Sequence, residues 1–379
     1  MIKGLDGAGA ASEAMRQINP DVVAAYPITP QTAVVENYAK FLADGLVSGE
    51  MIRVESEHSA MSACVGASAA GARVMTATSS AGLALMWEIL GVASGLRLPV
   101  VMNVVNRALS GPINIHCDHS DSMGCRDQGW IQIYCEDAQE VYDFNLLAVK
   151  LSEKVKLPVM VMQDGFITSH SLQRMETLKD KDVKKFVGDY KFESSLLNVD
   201  KPITHGPLQL FDYYFETKKQ LSDSIEKSKV DYLKIGRELS NLTKRKYSYF
   251  EEYKLKDSEV VIVVLSSTAG AVKEVIDGLR EKGKKVGLLK INLFRPFPYK
   301  EVENALKHVK NIAVLDRSES YGGNAPLFSE IKNSLFDVKT KINSYIFGLG
   351  GREIYEKDIE NVFEELLSNK IKNRYVGLR

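Results

Sequence analysis

Four short segments each set a polar side chain directly after a strand-like run. They are Tyr26-Pro27-Ile28-Thr29-Pro30, Val54-Glu55-Ser56-Glu57-His58, Thr78-Ser79-Ser80-Ala81-Gly82 and Asn106-Arg107-Ala108. Ligands of open parallel sheets bind beyond the carboxyl ends of the strands, so these groups can converge although they lie far apart in the chain. Taken singly, Thr29, Glu57, Ser79 and Ser80 read as ordinary helix caps and Arg107 as a surface ion pair. Taken together, a carboxylate, a threonine, a serine pair and an arginine at successive strand ends describe a site. Glu57 opens a run of tiny residues, Ala60 to Ala72, against which another backbone or a flat heterocycle can lie. A carboxylate at the mouth of such a helix can hydrogen-bond that ring. The planar fork of Arg107 matches a carboxylate.

The stretch from Ala108 to Gly129 is long for a connection in a compact domain, which favours a functional role. It carries His116, Asp118, His119, Asp121, Arg126 and Asp127. A metal site from Asp118, His119 and Asp121 is conceivable, but neither histidine has a partner at helical ligand spacing, and no metal ligands are expected. A hydrolase triad through Ser79 and His119 lacks the Gly-x-Ser-x-Gly elbow. Gly7-Ala8-Gly9 has neither a third glycine nor the spacing of a dinucleotide fingerprint and reads as a helix start.

Strand-like runs at Val22–Tyr26, Met51–Glu55, Val74–Thr78, Val100–Val105, Trp130–Cys135 and Val159–Gln163 alternate with helical stretches at Ala33–Leu42, Ala60–Ala72 and Leu83–Ser94. This is the pattern of an α/β unit whose mostly parallel sheet is covered on both faces. Residues from Ser171 to about Asp257 are dense in charge, including Thr243-Lys244-Arg245-Lys246, and read as a solvated, partly helical connector. A second α/β unit starts near Glu259, with strands at Val260–Leu265, Val286–Ile291, Ile312–Leu315 and Ile342–Phe347 and a helix ended by Gly283.

A chain of 379 residues implies two domains or three. Lys plus Arg and Asp plus Glu each number 49, which argues against nucleic acid or an anionic membrane as partner. The N-terminus lacks a basic stretch followed by an apolar core, and no apolar run nears the ~20 residues of a membrane span, so a cytoplasmic protein is expected. Cys64, Cys117, Cys125 and Cys135 form no Cys-x-x-Cys pair and read as unpaired thiols of a reducing compartment.

Tyr26–Pro30, Glu55–Ala60, Thr76–Ser80, Asn106–Ala108, Pro112–Asp121, Asp164-Gly165-Phe166, Arg295-Pro296-Phe297 and Asp316-Arg317-Ser318 stand in one order along the chain. In that order they resemble the alpha subunit of the pyruvate:ferredoxin oxidoreductase (pyruvate synthase) family of 2-oxoacid:ferredoxin oxidoreductases. The resemblance covers nearly the whole chain. It implies the thiamine-diphosphate-binding fold, with a pyrimidine-binding domain over 1–235, a linker over 236–257 and a smaller transketolase C-terminal-like α/β domain over 258–379. It implies thiamine diphosphate shared with a beta subunit, and Mg²⁺ and iron–sulfur clusters on partner subunits, which include a gamma and a ferredoxin-like delta subunit. Pyruvate, coenzyme A and ferredoxin would be the reactants. By the same resemblance Glu57 hydrogen-bonds the aminopyrimidine ring and favours its imino tautomer, while Arg107 and Thr29 hold the substrate carboxylate. Pro27, Ile28, Ser79 and Ser80 fall on cofactor-binding segments. Another 2-oxoacid (2-oxoglutarate, a branched-chain acid or oxalate) and a noncatalytic scaffold of the same fold remain as alternatives.

Overall fold

The computed structural model describes residues 1–371 and 374–379. The first unit runs β1 (Ile2–Leu5), α1 (Gly7–Ile18), β2 (Val22–Ala25), α2 (Thr32–Ala43), β3 (Glu50–Arg53), α3 (Glu57–Ala69), β4 (Val74–Thr78), α4 (Ser80–Gly95) and β5 (Val100–Asn106). It continues through α5 (Ser120–Gly124), β6 (Ile131–Tyr134), α6 (Ala138–Val155), β7 (Val159–Asp164), β8 (Gln173–Glu176), α7 (Asp180–Val187) and α8 (Tyr214–Thr243). The second unit holds β9 (Phe250–Tyr253), β10 (Val260–Leu265), α9 (Thr268–Glu281), β11 (Val286–Ile291), β12 (Leu293–Arg295), α10 (Tyr299–Leu306), β13 (Asn311–Asp316), α11 (Pro326–Ser334), β14 (Lys341–Ile346) and α12 (Glu356–Ser368). Among the described residues no helix is long and apolar enough to cross a membrane.

The main sheet has seven strands in the order β12-β6-β7-β5-β4-β2-β3, all parallel except the β12–β6 pair. The second sheet, β14-β13-β10-β11-β9, is parallel except at its β11–β9 edge. Every residue of β4, β5, β6, β7, β10 and β11 is buried, which is why these strands are near-continuous apolar runs rather than alternating ones. The parallel strands of the first sheet deliver their carboxyl ends to one edge, and the polar segments follow there.

Two helix starts depart from the expected limits, and both bear on the site. Ser56 accepts the Ser59 N–H at 3.2 Å, so α3 begins at Glu57 rather than at Ala60. Ser80 opens α4 with φ of 46°, a left-handed conformation that a residue with a Cβ adopts at a cost. The segment expected as a solvated connector is more structured than its charge suggests. Strand β8 pairs antiparallel with β1, α8 buries Tyr232, Ile235 and Leu239, and β9 joins the second sheet. The boundary expected at 235/236 falls within α8. Arg245, in the basic-looking run, pairs with buried Asp143 at 2.6 Å. All four cysteines are free and buried.

Two buried polar clusters lock the units together. Asp164, fully buried at the end of β7, meets His119 Nε2 at 2.7 Å, accepts from Arg317 Nη1 at 3.2 Å and from Ser267 Oγ at 2.5 Å. Burial alone would raise this carboxyl, but Arg317 and His119 outweigh it and hold it well below the usual carboxylate range. In the second cluster Lys290, 3% exposed, donates to Glu136 at 2.6 Å and to Glu140 at 2.7 Å, and pairs with Glu251 at 2.9 Å. Burial works against the Lys290 charge, yet these three carboxylates keep its pKa well above the ordinary value.

Asp164→Asn leaves Arg317 buried without its counter-charge and is expected to cost about 3–5 kcal/mol in denaturant unfolding at neutral pH. The sign of its pH dependence follows from the lowered native value. The contribution of Asp164 is complete above the unfolded carboxyl value of about 4 and fades as pH falls below it. The stability gap between wild type and Asp164→Asn should therefore be flat from about pH 6 to 8 and narrow below about pH 4.

Candidate active site

Glu57 is 7% exposed, and its carboxylate has no hydrogen-bond or ion-pair partner among the described residues. The residue is largely buried while its carboxylate oxygens keep access to solvent and bond to nothing, which leaves them open to a ligand that donates a hydrogen bond. Two more unsatisfied groups stand on the neighbouring segment. Thr78 Oγ1 and Ser79 Oγ are fully buried and make no hydrogen bond. Gly82, on the first turn of α4, lets these groups gather: a Cβ there would lie 2.6 Å from both Glu57 Oε1 and Thr78 Oγ1. This is a close approach that only glycine permits.

Arg107, 8% exposed, donates through Nη1 to the Thr29 carbonyl at 2.9 Å and through Nε to the Asn114 carbonyl at 3.1 Å. Its Nη2 makes no hydrogen bond among the described residues. Thr29 is exposed, Pro27 is exposed and Ile28 half-buried on the same loop, and the Ile28 N–H donates to Gln31 Oε1 at 3.2 Å. The loop's inner end is packed tightly. A Cβ on Gly165 would meet the Asn106 carbonyl at 2.4 Å and Pro30 Cγ at 2.9 Å.

Asp121 joins the two halves. It accepts the N–H groups of Ser80 at 2.9 Å and Arg107 at 3.0 Å, the Asn106 side chain at 2.8 Å and the Ser122 N–H at 2.7 Å. Burial pushes its carboxyl up to about 6, although these four donors favour the charged form. The structure thus brings Thr29 to Arg107 directly and Ser80 to Arg107 through Asp121. It sets Glu57 beside Thr78 across Gly82, with Ser79 next in the chain. Pro27 and Ile28 form the rim of the Thr29 loop and make no hydrogen bond to Glu57.

The conceivable metal trio does not form. Asp118 accepts from the Ser120 and Gly350 N–H groups, His119 faces Asp164, and Asp121 serves the four donors above. A different trio, Cys117, His119 and Asp164, gathers its ligand atoms within 4.8 Å. Arg317 already supplies positive charge there, and the Cys117 thiol is pushed well up by burial. Residue-by-residue reasoning missed Asp164, Arg317 and Gly82, and it considered Asp121 only as a metal ligand rather than as the acceptor that joins two strand ends. Three of them stand in motifs that the sequence singles out, and Gly82 ends a fourth, but nothing in one chain's letters says what each faces.

A family model described as "Pyruvate flavodoxin/ferredoxin oxidoreductase, thiamine diP-bdg" matches residues 13–235, and one described as "Pyruvate:ferredoxin oxidoreductase core domain II" matches residues 258–359. These two models, which between them span most of the chain, define a thiamine-diphosphate-binding oxidoreductase subunit. Pyruvate synthase subunit PorA of Thermotoga maritima is 54% identical over 98% of this chain and 97% of that protein. The PorA of Methanocaldococcus jannaschii is 48% identical over 96% and 95%, and ketoisovalerate oxidoreductase subunit VorA of Pyrococcus abyssi 42% over 96% and 93%. The fold is similar to a 2-oxoglutarate:ferredoxin oxidoreductase from Magnetococcus marinus, solved with 2-oxoglutarate, coenzyme A and succinyl-CoA bound (TM-score 0.72, 21% identity, 96% of this chain and 65% of that one). It is also similar to a split-gene transketolase in an inactive tetramer (TM-score 0.59, 11% identity, 97% of this chain and all of that one). The chain belongs to the pyruvate:ferredoxin oxidoreductase family, in the place of its alpha subunit, and is one polypeptide of a multi-subunit enzyme.

Gly82→Ala should displace the Glu57 carboxylate while leaving a helix residue of higher propensity. The expected result is a loss of turnover of about 10²-fold with little change in thermal midpoint, read by steady-state kinetics and calorimetry side by side.

Proposed function

We propose that this chain contributes the pyrimidine-binding half of an active site for coenzyme-A-dependent oxidative decarboxylation of pyruvate. The reaction gives acetyl-CoA and CO₂, passes its electrons to ferredoxin, and runs in reverse as pyruvate synthesis. The observation that carries the reading is the unpartnered carboxylate of the largely buried Glu57. The unsatisfied hydroxyls of Thr78 and Ser79, and the close contact with Gly82 that seats the Glu57 side chain, support a site for a flat, nitrogen-bearing ring beside it. When bound, thiamine diphosphate supplies a nucleophilic carbon and an electron sink for loss of CO₂.

In this reading Glu57 would share a proton with a ring nitrogen of the aminopyrimidine. Pro27, Ile28, Ser79 and Ser80 belong to the segments that would hold the ring. The free Nη2 of Arg107 pairs with the carboxylate of the 2-oxoacid, and the exposed Thr29 side chain adds a hydrogen bond. Residues 1–235 form the pyrimidine-binding domain and 258–379 the transketolase C-terminal-like domain. The diphosphate, Mg²⁺ and iron–sulfur clusters fall to beta and delta subunits, with a gamma subunit completing the cytoplasmic complex. Supporting this division, burial raises the pKa of all four thiols, Cys64 to about 12, which makes them poor cluster ligands as they stand. A partner surface is also available. On α4, Leu85 is 50% and Trp87 51% exposed, and along the arm before α8 Val199 is 88% and Phe211 90% exposed.

Relatives that act on ketoisovalerate stand close enough in identity, at 42%, to make a branched-chain 2-oxoacid the second reading. The test co-expresses the chain with its neighbouring subunits and assays 2-oxoacids by coenzyme-A-dependent dye reduction. Pyruvate should give the highest kcat/KM, and a preference for ketoisovalerate would reassign the substrate. Glu57→Ala should lower kcat by about 10²–10⁴-fold with the complex intact; near-normal turnover would remove the assignment. Arg107→Ala should raise KM for pyruvate by about 10–100-fold, and an unchanged KM with unaltered kcat would count against its role.

A further inference from the structure

The two halves of the site meet through one carboxylate. Asp121 is 4% exposed and lies in the first turn of α5. A carboxylate that merely capped that helix would serve the helix's own N–H groups. Of the four donors to Asp121, only the Ser122 N–H belongs to α5. The Ser80 N–H comes from the start of α4, and the Asn106 side chain and Arg107 N–H come from the end of β5. Oδ2 is shared between Ser80 and Arg107, at 2.9 and 3.0 Å, so a single atom spans the gap between two strand ends. Ser80 holds its left-handed conformation there, and its Oγ donates to the Ala108 carbonyl at 2.5 Å, a second tie across the same gap. Two residues beyond Ser80 stands Gly82, against which Glu57 rests.

We propose that Asp121 is a positioning residue that sets the separation between the substrate-binding Arg107 and the cofactor-facing start of α4. The proposal rests on the reading of Arg107 given above. Asp121 touches neither reactant; it acts by holding two backbone N–H groups on one oxygen. The guanidinium of Arg107 has its own anchors, the carbonyls of Thr29 and Asn114, so Asp121 places the base of the side chain while those carbonyls aim its tip. A shift at the base moves the free Nη2 off the carboxylate it is to meet. Displacements of about 1 Å at such contacts change rates or binding by roughly 10²-fold in other enzymes.

The test uses the reconstituted complex. Asp121→Asn keeps the shape of the side chain but sets an amide donor against N–H groups that need an acceptor. KM for pyruvate should rise roughly tenfold or more, with KM for coenzyme A unchanged within about twofold. A merely structural role would lower the thermal midpoint and the yield of complex and leave KM for pyruvate of the assembled enzyme unchanged, and that result would overturn the proposal. Asn106→Ser removes one donor from Oδ1 and spares both contacts at Oδ2, so KM for pyruvate should stay within about twofold, and a roughly tenfold rise would overturn the assignment to Oδ2. Should Asp121→Asn fail to assemble, Asp121→Glu, which keeps the charge and moves the oxygen by one methylene, takes its place, and an unchanged KM for pyruvate there would overturn the proposal. Arg107→Ala, measured in parallel, separates the two levels. If it leaves KM unchanged, the reading of Arg107 falls; if it raises KM while Asp121→Asn does not, only the positioning role falls.

Discussion

The buried contact between Asp164 and Arg317 is the constraint on which the arrangement of the site depends. Asp164 ends a central strand of the first sheet, and Arg317 follows a central strand of the second. Their attraction is offset in large part by the desolvation of both groups, so its value lies less in net stability than in the single geometry it admits. That geometry extends outward. His119 leaves the long loop to meet Asp164, while Asn114 and Asp118 of the same loop bond to Gly350 of the second unit. The loop that carries Arg107 at its root and Asp121 at its far end is thereby fixed from both sides. The next residue, Gly165, lets the Thr29 loop close over the end of β5.

Much of this architecture is legible in the sequence because its physics is local. The apolar runs from Val100 and from Val260 are buried strands, the small residues after Glu57 form a helix, and Gly283 ends another, each for reasons contained within a few residues. The convergence of Thr29, Ser80 and Arg107 follows from the parallel topology and is realised through hydrogen bonds. What is not legible is non-local. Strands β8 and β12 are short and mixed in polarity, and each is defined by a partner more than a hundred residues away. Asp121 and Asp164 are aspartates in a loop and at a strand end, and their letters do not reveal which donors surround them. Arg245 looks like part of a solvated patch until Asp143, two turns into α6, is seen to face it.

The site itself is built against the ordinary rules of a protein interior. The Thr78 and Ser79 hydroxyls are buried without partners, the largely buried Glu57 has an unpartnered carboxylate beside them, and Ser80 holds a conformation that suits glycine better. Each is a small cost to folding, concentrated within one strand–helix junction and its neighbour. Other buried polar atoms of the chain, such as Tyr38 Oη and Ser344 Oγ, also lack partners, and what distinguishes the site is that several such departures stand side by side.

Strand β12 carries a consequence beyond the geometry of the sheet. It belongs by sequence to the second unit and by hydrogen bonding to the first, where it covers the β6 edge. A subunit of a multi-subunit enzyme thus has, within its own polypeptide, a seam that resists division. A break in the gene between the two units would leave one product with a bare strand edge, open to self-association, and the other with a strand lacking its sheet. Separating the two units therefore costs each of them a strand pairing, and the polypeptide works as one piece although its sheets are two.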